Sequence, residues 1–251
     1  MRDIETCILN PESVQLAEKM MVCAARLTQR GHKIKNLADF LAMYNKSYTD
    51  KTRETMLNLP HPTLQKYVAI NAVIIGASRR FLAQITRHQN EVKYMSASLQ
   101  YSDYSGDADF VVPYELLDKP ELEALYLENC KKSMDAYMTI ARESGCNDSA
   151  GYAAPQGLKN ILIISATPYQ WKHMIGQRIC KRNTGETRYV MLRIWQQLFE
   201  LNPVLFSPHT TGAFCMKAKC AEGIMACSDV IEKGYTPTQI LAADFPLLSS
   251  I

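Results

Sequence analysis

Apolar and polar positions divide the chain into helical stretches separated by two short, strongly apolar runs. From Pro11 to Arg30, the residues Val14, Leu16, Ala17, Met20, Met21, Ala24 and Leu27 recur at the spacing of one helix face, and Gly31 supplies a stop. A second helix is predicted over Asp50–Leu57, ahead of Pro60. Tyr67–Gly76, YVAINAVIIG, is apolar enough and rich enough in β-branched residues to predict a buried strand. Ser78 can cap the next helix, which carries Phe81, Leu82 and Ile85 towards Arg87. A polar strand follows, and Ser98 to Gly106 reads as strand passing into loop. Asp118, Pro120 and Glu121 have the order of cap, early proline and return partner, so a long helix is predicted to about Ser144, with Gly145 as its stop. Asn160–Ala166 reads as a second buried strand. Thr167, Pro168 and Gln170 repeat the capping order and open a helix through Trp171, Met174, Ile175 and Arg178; a further helix covers Glu186–Leu201. Trp171 and Trp195 are expected in the core, and Tyr94, Tyr101 and Tyr104 in strand and loop.

Composition narrows the class. No linker, internal repeat or low-complexity tract interrupts the 251 residues, and 47% hydrophobic with 21% charged residues suits one globular α and β domain over 1–251. The opening MRDIETCILN has no signal-peptide pattern, and the strongest apolar run, Val68 to Gly76, is too short to span a bilayer. The expectation is a soluble, cytoplasmic protein with no membrane partner. A net charge of +3 is too small for a nucleic-acid coat. Two basic clusters, one around Arg79, Arg87 and Lys93 and one around Lys172, Arg178 and Arg188, are either solvated helix faces or a local anion site. Eight cysteines are scattered along the chain, and reduced thiols are their default state. The tail, 205–251, holds His209, Cys215, Cys220 and Cys227 at spacings looser than those of common zinc modules, so no metal is expected there.

The segment Gly76 to Tyr101 carries the most chemistry. Gln84, Arg87 and His88 share one helix face, where an amide, a guanidinium and an imidazole could hold a phosphate and a heteroaromatic ring. Arginine and histidine at a helix end also serve as partners for its last carbonyls. The ordered motifs resemble those of the flavin-dependent thymidylate synthases: His61-Pro62-Thr63, then Gly76-X-Ser78-Arg79, Gln84-X-X-Arg87-His88, Ser98 and Tyr101, and further on Pro155 and the helix Trp171 to Arg178. The similarity covers about the first 200 residues. It implies an α+β fold with a central, mostly antiparallel sheet flanked by long helices. It also implies a homotetramer whose sites lie between subunits, binding FAD and a uracil nucleotide, dUMP, with NADPH and methylenetetrahydrofolate as co-substrates.

By position the resemblance makes Arg178 the catalytic arginine at the pyrimidine, met across a subunit boundary by the groups on the Gln84–His88 face. It places Gln84, Arg87, Ser96, Ser98, Gln100 and Tyr101 at the nucleotide. It places His61, Thr63, Arg87, His88, Gln89, Thr167, Tyr169 and His173 at the flavin, with His61 facing the folate as well. Such a site needs the protein mainly to position and polarise, because the hydride chemistry is the cofactor's. Several positions depart from the family pattern. Eight residues, Asn90 to Ala97, separate Gln89 from Ser98 where the family has seven. Gln89 and Gln100 stand where the family has arginine, Ser96 where it has glutamate, and Gly151 where it has another phosphate-binding arginine. Thr167 and Tyr169 replace an asparagine and an arginine. Lys93, Lys159 and Arg182 are the cations that could make up the lost charge. Three readings stay open: methylation of dUMP, another uracil nucleotide or hydroxymethyl transfer on the same fold, and a catalytically silent nucleotide- or metal-binding relative.

Overall fold

The computed structural model describes residues 1–102, 104, 108–220, 222–227 and 229–248. The first half of the chain runs β1 (Glu5–Ile8), α1 (Glu12–Arg30), α2 (Leu37–Tyr44), α3 (Asp50–Leu57), β2 (Ile70–Ser78), α4 (Arg79–Ile85) and β3 (Val92–Ser96). The second half runs α5 (Pro120–Ser144), α6 (Asn147–Gly151), β4 (Lys159–Ala166), α7 (Pro168–Arg178), α8 (Gly185–Leu201), α9 (Pro208–Thr211), α10 (Phe214–Lys217) and α11 (Pro237–Asp244). The strands form one four-stranded sheet in the order β1-β2-β4-β3. Every pairing is antiparallel. The α+β class with an antiparallel sheet therefore stands as expected.

One face of the sheet is core. Ile70, Ala72 and Ile74 of β2 and Leu162, Ile164 and Ala166 of β4 point inwards and join α1, α7 and α8 in one buried cluster. Helix α8 lies centrally, with Val190, Met191, Leu192, Ile194, Trp195 and Leu198 all fully buried. The indole N–H of Trp171 donates to the Ile70 carbonyl (3.0 Å) and that of Trp195 to the Phe206 carbonyl (2.8 Å), so both rings are buried with their polar atoms satisfied. The other face corrects the expectation of strands buried on both sides. Ile75, Met95, Ile161 and Ile163 remain 41–73% exposed on it, a contiguous apolar patch uncovered by any element of the chain among the described residues.

Local chemistry explains most element ends. Ser78 caps α4 by accepting from the Phe81 N–H (3.1 Å). Gly145 ends α5 in the left-handed conformation, φ +64°. Two capping expectations fail. Helix α5 starts with Lys119 at its cap position and no side-chain cap, because Asp118 falls one residue before that position. Thr167 precedes α7 without capping it, and its hydroxyl oxygen is buried with no hydrogen-bond partner. Gly76 sits at a bulge between β2 and β4 with φ +78°, where a Cβ would come within 2.9 Å of the Asp3 carbonyl oxygen. The stretch expected to pass from strand to loop falls partly on residues 103 and 105–107, outside the described set; Ser98 to Ser102 is a turn closed by the Ser102 N–H on the Ser98 carbonyl (3.0 Å).

Candidate functional site

The sheet register decides which segments meet. Ile70, Val92 and Ala166 are cross-strand partners, so the beginnings of β2 and β3 and the end of β4 lie side by side. Three connections leave from that one end of the sheet: the one-turn helix Pro62–Gln65 before β2, the turn through Glu91 before β3, and α7 after β4. Helix α4 starts at the opposite end, at Ser78, and its length returns Gln84 to Gln89 towards α7. Segments far apart in sequence thus converge because the strands are antiparallel and the starts of β2 and β3 are in register with the end of β4.

Arg178, the last residue of α7, is the hub. Its Nε–H donates to Nε2 of His88 (2.8 Å), one terminal nitrogen donates to the Gln84 carbonyl (2.8 Å), and the other reaches the Asn183 amide oxygen at 3.4 Å. A guanidinium has five N–H donors, so two remain for a ligand. Burial, reinforced by Arg178 and then by His173, pushes the His88 pKa down to about 4. The ring is therefore neutral near pH 7, with Nε2 free to accept. His173 lies edge-on to His88, ring centroids 5.6 Å apart. The Tyr94 hydroxyl hydrogen-bonds the carbonyls of Ile85 (2.9 Å) and His88 (2.8 Å), tying the end of α4 to β3.

Arg178, His88 and His173 border a cleft of about 480 Å³. Of the residues expected at a site, it gathers Arg87, His88, Gln89, Tyr169, His173 and Arg178. Within one chain, His88 and the Gln84 carbonyl already meet Arg178. Gln84 contributes its backbone carbonyl; its side-chain oxygen is taken by the Thr187 hydroxyl (2.8 Å). His61 and Thr63 are exposed on the turn beside α7. Lys66, next along that turn, lies 5.0 Å over the Tyr169 ring and 3.0 Å from Glu91. Thr167 is at the base of α7.

Four expected residues lie elsewhere. Ser96 borders a separate surface hollow with Arg79, Tyr94 and Gln156. Ser98, Gln100 and Tyr101 follow the far end of β3, with Tyr101 84% exposed. They are separated from Arg178 by the length of the strand, because Ser96 pairs with Leu162 while Val92 pairs with Ala166. Two of the three suggested replacement cations are engaged. Lys159 is bound by Asp3 (3.1 Å) and Asp109, and Arg182 by Glu222 (2.7 Å) and the Met225 carbonyl (2.9 Å). Lys93 is exposed on β3. Gln170 and Gln177 border the cleft without having been expected there. Their i, i+3, i+7 spacing with His173 along α7 was the available signal. In the tail, no group of three or more histidine, cysteine or acidic side chains could hold a metal ion among the described residues. No helix among them is long and apolar enough to cross a membrane.

An antiparallel sheet whose one end gathers a guanidinium, a neutral imidazole and a polar cleft defines a small-ligand site on an α+β scaffold. Residues 12–204 match the family described as thymidylate synthase complementing protein, and the chain belongs to that family. Among similar proteins is a flavin-dependent thymidylate synthase of Thermococcus kodakarensis, 25% identical over 156 residues, or 60% of this chain and 63% of that protein. Another is that of Mycobacterium marinum, 22% identical over 167 residues, 61% and 66% respectively. The chain thus spans just under two thirds of the length of these relatives. Two solved structures share the fold. A thymidylate synthase X of Helicobacter pylori with FAD and dUMP matches with a TM-score of 0.57 at 16% identity, over 76% of this chain and 92% of the other. A UMP/dUMP methylase of Streptomyces cacaoi bound to 5-bromo-dUMP matches with a TM-score of 0.63 at 12% identity, over 84% and 96%.

Proposed function

We propose that this chain is a flavin-dependent thymidylate synthase, methylating dUMP to dTMP with FAD, NADPH and methylenetetrahydrofolate. The observation that carries the reading is Arg178, held by a neutral imidazole and a backbone carbonyl with two N–H donors to spare at the lip of a polar cleft. A fixed guanidinium there would polarise a uracil carbonyl, which is electrostatic catalysis by a preorganised donor. The donor set fits a flavin and a nucleotide: Arg87 offers charge to a phosphate, and Tyr169, His173 and Gln177 offer a flat, hydrogen-bonding wall. When bound, reduced flavin supplies the hydride. In this reading His61, Thr63, Arg87, His88, Gln89, Thr167, Tyr169 and His173 hold the cofactor.

Gln84 and Arg87 would serve the nucleotide from the same subunit. Ser96, Ser98, Gln100 and Tyr101, too far from Arg178 within one chain, would serve it from a neighbouring copy. A homotetramer is consistent with the exposed apolar face of the sheet, which a second copy would cover. A second reading keeps fold and flavin and changes the substrate to another uracil nucleotide or the product to a hydroxymethyl derivative. Gln100 and Gly151, standing where phosphate-binding guanidiniums are expected, favour it.

The test is turnover by the purified, FAD-reconstituted protein. NADPH oxidation should rise when dUMP is added, with a methylated product by mass spectrometry. Arg178→Ala should lower kcat by roughly 10²–10³, the range for loss of one preorganised donor. Turnover of UMP in preference to dUMP, or a hydroxymethyl product, would move the assignment to the second reading. Absence of a flavin spectrum after reconstitution would remove both and leave a catalytically silent relative.

A further inference from the structure

The tail beyond residue 204 lies outside the stretch that matches the family, yet it packs against α7 and closes a second cavity of about 710 Å³. Close approach is possible because residue 176 is glycine. A Cβ there would come within 3.2 Å of the Gly212 carbonyl oxygen and 3.5 Å of the Lys217 ammonium. The cavity shares His173, Gln177 and Arg178 with the first cleft.

Its electrostatics are one-sided. Lys172 is 7% exposed, its ammonium is buried with no hydrogen-bond partner, and the nearest aromatic ring, Phe206, is 6.0 Å away. Lys217 has a single long contact, 3.4 Å to the Thr210 carbonyl. Arg178 binds an imidazole, a carbonyl and an amide. Among the described residues no carboxylate is within ion-pairing distance of any of these three cations, and the one acidic side chain bordering the cavity, Glu222, is taken by Arg182. Burial, and then Lys217, push the Lys172 pKa down to about 7. An uncompensated ammonium held out of water, as that of Lys172 is, is destabilising unless an anion joins it. Phe214 and Val230, both more than half exposed, add an apolar wall, and the volume is that of a small-molecule site.

We propose that the cavity between α7 and the tail is a second ligand site, taking a phosphate-bearing molecule of nucleotide size. Its phosphate lies against Lys172 and Lys217, and its ring against Phe214. The site adjoins the first cleft through His173, Gln177 and Arg178, but Lys172, Lys217 and Phe214 do not border that cleft, so changes at these three separate it from the uracil-nucleotide assignment.

Calorimetric binding of inorganic pyrophosphate, dUMP and NADPH to the full-length protein tests it, with Lys172→Met, Lys217→Met, Phe214→Ala and Arg87→Ala as variants. Pyrophosphate should bind the wild type and lose about tenfold or more in affinity in each lysine variant, the loss of one charge-assisted hydrogen bond, while Arg87→Ala changes it little. Whichever nucleotide also weakens with Phe214→Ala is the ligand class. Lys172→Met should also raise the melting temperature of the ligand-free protein, since it removes an unpaired buried ammonium. The proposal is overturned if pyrophosphate does not bind the wild type at millimolar concentration. It is equally overturned if all three probes bind both lysine variants within twofold of the wild type. Neither result depends on turnover at the first cleft.

Discussion

Lowering the pH from 7 to 5 protonates an ordinary histidine but leaves His88 neutral, because burial beside Arg178 holds its pKa near 4. The unfolded chain, with a histidine pKa near 6.5, takes up the proton that the folded chain refuses. Between those two values the unfolded state binds more protons, so the folded state loses stability as pH falls. The loss begins near 6.5 and ends near 4, and totals about 3 kcal/mol. About 2 kcal/mol of it falls between pH 7 and 5. At 8% exposure, solvent screens little of this. Urea denaturation of the wild type and His88→Gln at both pH values isolates the effect, since other titrating groups such as Glu186 and Lys172 are common to both proteins. The wild type should lose about 2 kcal/mol more than the variant. NMR titration of the His88 ring should give a midpoint near 4. A midpoint at or above 6.5, or equal losses in the two proteins, would refute the picture of a neutral imidazole accepting from Arg178.

Three further predictions concern the scaffold. Gly145→Ala meets open space at φ +64° and should be destabilising by about 1 kcal/mol, the strain of a left-handed alanine. Gly76→Ala adds a collision with the Asp3 carbonyl to the same strain and should lose about 3 kcal/mol or more by urea denaturation; equal losses would deny the bulge its role. Glu186, buried on α8, accepts from both the N–H (2.6 Å) and the hydroxyl (2.5 Å) of Ser78. Glu186→Ala strands two buried donors and should lower unfolding free energy by about 2–4 kcal/mol; a change below 1 kcal/mol would mean water replaces the carboxylate without penalty.

Much of this architecture could be read from residue order, because the elements that carry the core also carry strong local signals. Asp50–Leu57 was expected over the span observed, and the helices from Pro120 and Pro168 begin at their prolines. What escaped notice lacks such signals. Strand β1 has four residues and one buried side chain, and it is held by register with β2. The α2 helix, capped by Asn36, packs loosely and buries none of its residues. The uncovered sheet face was misjudged because a run such as NILIISA has the same composition whether one side or both are buried. Within the site, the grouping of Arg87, His88, His173 and Arg178 was legible through family spacing. The displacement of Ser98–Tyr101 was not, since it follows from antiparallel register, which periodicity does not encode.

The pairing of β3 with β4 also bears on the additional residue between Gln89 and Ser98. From Val92 to Ser96 the ladder is regular, with no shift in pairing. Glu91 alone among the described non-glycine residues adopts a positive φ, +56°, held by Lys66. An insertion absorbed in that turn leaves every later side chain on the same side of the sheet, with Tyr94 inward and Met95 outward. Counting residues between two motifs therefore measures loop length here, and chains with one residue fewer can display an identical strand surface.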